Sequence, residues 1–130
     1  MAIKAKELMV TVPDTVSTGA KILRSIANAK INMLAFCGYS MEGKAFLTMV
    51  VGKGKEAEAK KVLKKAGYSV ITNDVLLVEI GHKTGALAVV TEKLAAANIN
   101  IPYAYASAIG KRSLVVLGVA NTGKALKALK

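Results

Sequence analysis

Leu8, Val10 and Val12 alternate with Met9 and Thr11, the period-two pattern of a half-buried strand, and predict one over about residues 7–12. Pro13, Asp14 and Thr15 end it, and from Ser17 the apolar residues Ile22, Leu23, Ile26 and Ala27 recur at helical spacing as far as Ala29. Two β-rich runs follow, residues 31–40 and 44–52, divided by Met41-Glu42-Gly43, which reads as a hairpin turn. Over residues 55–66, Ala59, Val62, Leu63 and Ala66 form one helical face and Lys60, Lys61, Lys64 and Lys65 the other, with Gly67 in place as the C-terminal cap. Residues 68–72 make a short strand, so the order is βαββαβ.

The same pattern then recurs. Residues 8–33 lie over residues 76–101 at a constant offset of 68. Leu8, Val10, Ala20, Ala27, Ala29, Ile31 and Asn32 fall on identical residues at Leu76, Val78, Ala88, Ala95, Ala97, Ile99 and Asn100, where composition alone predicts roughly two matches. Val12, Ile22, Ile26 and Met33 fall on Ile80, Val90, Leu94 and Ile101. The second copy is therefore predicted as a strand (75–80), a helix (85–97), two strands (101–108 and 113–119) around the turn Ile109-Gly110-Lys111, and a helix from Thr122. Its fourth strand would fall at about position 136, past Lys130. The fold class expected is α+β: two ferredoxin-like βαββαβ repeats, residues 1–72 and 73–130, the second lacking its own fourth strand.

Composition narrows the functional classes. One cysteine, Cys37, and one histidine, His82, cannot make an ordinary four-ligand zinc site or an internal disulfide. No paired carboxylates or nucleophile–base pair stands out, so no enzyme, catalytic residue, metal or cofactor is expected. No apolar run reaches the roughly 20 residues of a membrane helix and no signal-peptide pattern opens the chain, so a cytoplasmic location is expected. The net charge of +11 raises nucleic acid as a partner, but of the 19 basic residues only Arg24 and Arg112 are arginine. RNA-recognition modules share the βαββαβ order, yet residues 45–51 and 113–119 carry Phe46 as their one aromatic, too few for base stacking. A nucleic-acid-binding module is therefore the runner-up. A PII-like signal protein would need a long loop between its second and third strands, and both loops here are short.

The run Leu76-Leu-Val-Glu-Ile-Gly-His-Lys-Thr-Gly-Ala-Leu87, followed by Leu94-Ala-Ala-Ala-Asn-Ile-Asn-Ile101, resembles the ACT domain family, with its strand, Asp-x-Pro-Gly-x-Leu turn, amphipathic helix and Gly-Ile-Asn-Ile exit. The first copy is a weaker version, in Pro13-Asp-Thr-Val-Ser17 and Ala29-Lys-Ile-Asn-Met33. The resemblance spans nearly the whole chain. It implies a stand-alone tandem ACT protein that binds an amino acid or similar small carboxylate and regulates a metabolic enzyme or transcription. The positions it assigns to the ligand are Gly81, His82, Lys83, Thr84, Gly85, Ala86 and Leu87 with Asn100 and Ile101. A weaker second site falls on Asp14, Thr15, Val16 and Ser17 with Asn32. Thr84 and Val16 stand where the family has proline, His82 where it has aspartate, and Ser17 where it has glycine.

The residues themselves support the second loop. A glycine opening a helix lets a ligand approach, and the free N–H groups and dipole of the first turn favour a carboxylate. Lys83 adds positive charge, and Asn100 has both a donor and an acceptor for an amino or amide group. Gly85 also suits a plain tight turn, and Asn100 a bracket at a strand start; asparagine in both copies favours the ligand reading. Cys37 reads as a small packed residue, Tyr103 and Tyr105 as core or interface, and Gly52-Lys-Gly-Lys55 as a loop without P-loop spacing.

Two structural expectations remain. Phe46, Thr48 and Val50 alternate with Ala45, Leu47, Met49 and Val51, so both strand faces are apolar while two helices cover only one; a homodimer in which each chain covers the other's open faces is expected. Asn73-Asp74 suits a two-residue hairpin turn that would fold residues 68–72 back onto residues 75–80 and lend the second repeat its missing strand.

Overall fold

The computed structural model describes residues 1–130. In order, the elements are β1 (Ala2–Pro13), α1 (Thr18–Asn28), β2 (Met33–Met41), β3 (Lys44–Val51), α2 (Glu56–Lys65), β4 (Val70–Gly81), α3 (Ala86–Ala96), β5 (Tyr103–Ile109), β6 (Arg112–Gly118) and α4 (Thr122–Ala128). The turn between β2 and β3 has positive φ at both central residues, Glu42 (51°) and Gly43 (79°), as a type I′ hairpin requires. All three longer helices end in the same way. Lys30, Gly67 and Asn98 sit at φ 60°, 96° and 58°, and the next residues, Ile31, Tyr68 and Ile99, donate back to the carbonyls of Ile26, Leu63 and Leu94. No helix is long and apolar enough to cross a membrane.

The hairpin expected at Asn73-Asp74 does not form. β4 runs unbroken from Val70 to Gly81, and neither residue adopts the positive φ that a tight turn demands. Instead Asn73 Nδ2 donates to the carboxylate of Glu7, a fully buried side chain, at 3.2 Å. β1 also begins five residues earlier than its apolar alternation indicates.

These two long strands explain how both repeats close. The chain divides into one unit of Lys6–Asn73 and another of Met1–Ala5 with Asp74–Lys130. Within the first unit the strand order is β2-β3-β1-β4, with β4 supplying its start. Within the second it is β1-β4-β6-β5, with β1 supplying its start. Met1 and Glu79 exchange backbone bonds, N–H to carbonyl, at 2.8 Å in each direction. The second repeat's missing fourth strand is thus supplied from the other end of the chain, and Ala2 packs against its core.

The repeat offset places nearly every core residue. Leu8, Val10, Ile22, Ile26, Leu47, Met49 and Val51 form the first core with Ala59 and Leu63. Leu76, Val78, Val90, Leu94, Val115, Leu117 and Val119, each 68 residues on, form the second with Ala125. Beyond β6 the offset falls to 66, so Ala59 matches Ala125 and Leu63 matches Leu129. The cause is a connection two residues shorter. Lys55 caps α2 after the looped Gly52–Lys55 segment, where Gly54 takes φ 83°, whereas Asn121 starts α4 directly and its Oδ1 accepts from Lys124 N–H at 2.9 Å.

The helix-free face of β3 is less open than the alternation implies. Val50 is 1% exposed and Thr48 8% exposed in the single chain, and β3 is an interior strand, paired with β1 on one side and β2 on the other. Large apolar side chains remain open on β2 instead, an edge strand.

A chain lacking residues 2–5 should therefore lose the pairing of Glu79 while retaining the Lys6–Asn73 core. Hydrogen exchange should show the Glu79 amide unprotected, and denaturant unfolding should show a loss of about 2–4 kcal/mol, a few backbone bonds at roughly 1 kcal/mol each. Unchanged protection at Glu79 would contradict the strand assignment.

Candidate functional site

The connection from β4 to α3 is built from the backbone. Beyond Gly81, His82 N–H donates to the Lys111 carbonyl in the β5–β6 turn at 2.8 Å, tying the loop to that hairpin. Lys83 N–H returns to the Gly81 carbonyl and Ala86 N–H to the Lys83 carbonyl, both at 3.0 Å. Gly85 then opens α3 at φ 83°, a left-handed conformation that glycine adopts without penalty. No side chain caps this helix, so of its first-turn donors only Ala86 N–H is taken, by the Lys83 carbonyl, and those of Leu87 and Ala88 remain.

Beside this turn lies an open groove of about 430 Å³. One wall is Ile80, Gly81, His82 and Lys83 at the end of β4, and another is Gly85, Ala86, Leu87 and Ala88 at the start of α3. The floor comes from the hairpin: Ala106, Ser107 and Ala108 of β5 with Ser113 of β6. Two basic side chains line it and no acidic one does. The Lys83 side chain folds back toward Gly81. The lining is mostly apolar, with Ile80, Ala86, Leu87, Ala88, Ala106 and Ala108 among its residues. This chemistry suits a small anion that carries an apolar portion.

Six of the expected positions meet here: Gly81, His82, Lys83, Gly85, Ala86 and Leu87. Thr84 is exposed in the same loop but does not line the groove, and neither does exposed Asn100 nor half-buried Ile101, which packs against the second core. The alanines and serines of the hairpin escaped the sequence reading. Their signal is the alternation Tyr103-Ala-Tyr-Ala-Ser-Ala-Ile109, in which small residues recur along β5.

The first copy repeats the loop with different contents. Asp14 N–H donates to the Gly43 carbonyl at 2.9 Å, the counterpart of the His82 bond, and Ser17 occupies Gly85's place at φ 76°. Asp14, Thr15, Val16, Ser17 and Asn32 are all exposed, and the Thr15 and Thr18 hydroxyls bond to each other. The counterparts of Ala104 and Ala106 are Phe36 and Gly38, and the Phe36 ring lies against Gly38. An aromatic ring thus covers the strand surface that stays bare in the second copy. Elsewhere, the Tyr103 ring covers Gly118 on the facing strand, and Cys37 is half-buried with its carbonyl accepting from Thr48 Oγ1 at 3.2 Å.

A family model described as an ACT domain pair matches residues 1–129. No curated protein matches in sequence. Among solved structures, a protein from Bacteroides thetaiotaomicron is similar over 98% of this chain and 88% of its own, at 26% identity and a TM-score of 0.90. The ligand-free regulatory subunit of aspartate kinase from Thermus thermophilus is similar over 99% of this chain and 93% of its own, at 18% identity and a TM-score of 0.76. The corresponding Thermus flavus subunit matches over the same shares at 18% identity and 0.72. The two Thermus subunits bear on the fold alone.

The paired left-handed positions make opposite predictions for opposite substitutions. Ser17→Gly removes a strained φ at a cost of about 1–2 kcal/mol, partly offset by glycine's freedom in the unfolded chain, and should raise stability by about 0.5–1 kcal/mol. Gly85→Ala meets no steric neighbour within 4 Å, so its cost, about 1 kcal/mol, comes from the backbone alone. Denaturant titration of both variants checks the pair, and the same sign for both would contradict it.

Proposed function

Because this chain belongs to the family of ACT domain pairs, we propose that it is a non-catalytic sensor of a small carboxylate, most simply an amino acid with an apolar side chain, bound in the groove at the start of α3. The observation that carries this reading is the groove's composition: uncapped helix donors and Lys83 at one end, alanines along the inside, and no acidic side chain to repel a carboxylate. The carboxylate takes the remaining first-turn N–H groups, those of Leu87 and Ala88, since Ala86 N–H is held by the Lys83 carbonyl, and Lys83 adds charge from solvent. The apolar part lies over Ala106 and Ala108. Asn100 stands outside this arrangement, so the ligand's amino group is held by serine hydroxyls or backbone carbonyls at the hairpin.

Binding there ties the β4–α3 loop to the β5–β6 hairpin and stabilises one arrangement of the second unit, which is how a protein without catalytic groups transmits a signal. The partner that reads the signal is a metabolic enzyme, a proposal supported by the fold that this chain shares with regulatory subunits of aspartate kinase. The working unit is a homodimer, supported by the apolar side chains left open on β2. The cytoplasm is where such ligands and enzymes meet.

Thermal-shift screening of the twenty amino acids should find a ligand, and at 100 times its dissociation constant it adds about 2.7 kcal/mol. Ala106→Phe, which fills the groove as Phe36 fills its counterpart, should abolish that shift. Lys83→Ala should weaken binding by up to ~1 kcal/mol, an exposed charge's worth. Asn100→Ala should bind as wild type. Loss of binding in Asn100→Ala with full binding in Ala106→Phe moves the site to the start of β5. No amino acid binding, with salt-sensitive binding to RNA or DNA, overturns the reading in favour of a nucleic-acid module.

A further inference from the structure

We propose that Ser113 receives the ammonium group of an amino acid in this groove and so discriminates it from the corresponding plain carboxylic acid, a role that rests on the ligand reading above. Across the sheet, Ile80 of β4 stands opposite Ser113 of β6, and Ser113 stands opposite Ala108 of β5. All three line the groove, so this row presents one face to it. Ser107 is one residue out of step, and strand alternation turns its side chain to the other face of the sheet. Half-buried Ser113 is therefore the one hydroxyl that the floor offers.

The polarity of that hydroxyl is fixed by its own bond. Ser113 Oγ donates to the Ser107 carbonyl at 3.2 Å. A hydroxyl has one proton and two lone pairs, so with the proton engaged the oxygen has only acceptor capacity left. An ammonium group only donates and is its complement, whereas a carboxylate only accepts and gains nothing there. In the loop, the Gly81 and Lys83 carbonyls already accept from Lys83 and Ala86 N–H, and the Lys83 side chain is itself a donor. The free donors for the carboxylate, Leu87 and Ala88 N–H, belong to the helix wall and Ser113 to the sheet floor, so the two charged ends of an amino acid meet opposite polarity on different walls. The first copy rearranges the same row as Val12, Ala45 and Ser40. Its middle position carries only a methyl group, and its hydroxyl sits exposed on the edge strand.

Calorimetry on the full chain with two matched pairs tests this role: L-leucine against isocaproate and L-valine against isovalerate, each pair differing only in the amino group. Wild type should bind the amino acid of at least one pair more tightly than its acid. Ser113→Ala should weaken that amino acid about tenfold, the worth of one hydrogen bond to a charged group, and leave the plain acid unchanged. Ser113→Thr keeps the hydroxyl and should keep the preference, and Ser107→Ala should match wild type. Equal weakening of amino acid and acid in Ser113→Ala marks a merely structural role and overturns the proposal. A preference that survives in Ser113→Ala overturns it too, and its loss in His82→Ala would then assign the ammonium group to the imidazole. Binding without preference in wild type overturns the role of Ser113 and leaves the carboxylate reading standing. Binding of neither amino acid nor acid to wild type overturns both.

Discussion

An unpaired strand edge beside a buried core is the constraint on which this fold depends. Each repeat places its first strand in the interior of its sheet, next to the third, and so needs one more strand on the other side to occupy the remaining backbone groups. The first repeat closes with its own last segment, the start of β4, whereas the second has to take its strand from Met1–Ala5. The solution is length: β1 and β4 each extend past one core and serve as the outer partner of the other's first strand. The bonds of Met1 with Glu79 and of Asn73 with Glu7 mark the two halves of this exchange. Glu7, fully buried, sits where the exchange changes over.

This constraint positions the groove. Holding β4 in place fixes where Gly81 leaves the sheet, and the bond from His82 N–H to the Lys111 carbonyl fixes where the loop turns. From there a left-handed glycine aims the start of α3 across the end of the β5–β6 hairpin. The first copy uses the same backbone scheme, and Phe36 and Ser17 alter the result. One adds a ring over the strand and the other adds strain at the helix start. Two sites of common backbone design therefore differ in what they can hold, by a few side chains.

Much of this was legible in the residues because the repeat ties distant positions together. The ambiguity over which face of β3 is buried vanishes once Leu47, Met49 and Val51 are seen to match Val115, Leu117 and Val119, and both hairpin turns follow from their glycines. Residues 2–6 were not legible as strand: Lys4 and Lys6 break the apolar pattern, and the segment is a strand because β4 offers it partners. Asn73-Asp74 has turn composition and forms no turn, since tertiary pairing outweighs local propensity there. In the groove, the glycines and Lys83 were visible as a motif, whereas Ala106, Ala108 and Ser113 act through smallness, which spacing does not reveal. Asn100 is repeated in both copies but lies outside the groove.

The most direct test of ligand sensing at this groove is a nitrogen-15 correlation spectrum of the protein titrated with the amino acids in turn. Saturable shifts are predicted at the amides of Gly81, Gly85, Ala86 and Ala106, with the matching amides of the first copy, Ser17, Thr18 and Gly38, unmoved. Shifts confined to the first copy's loop, or none with any amino acid, would contradict it.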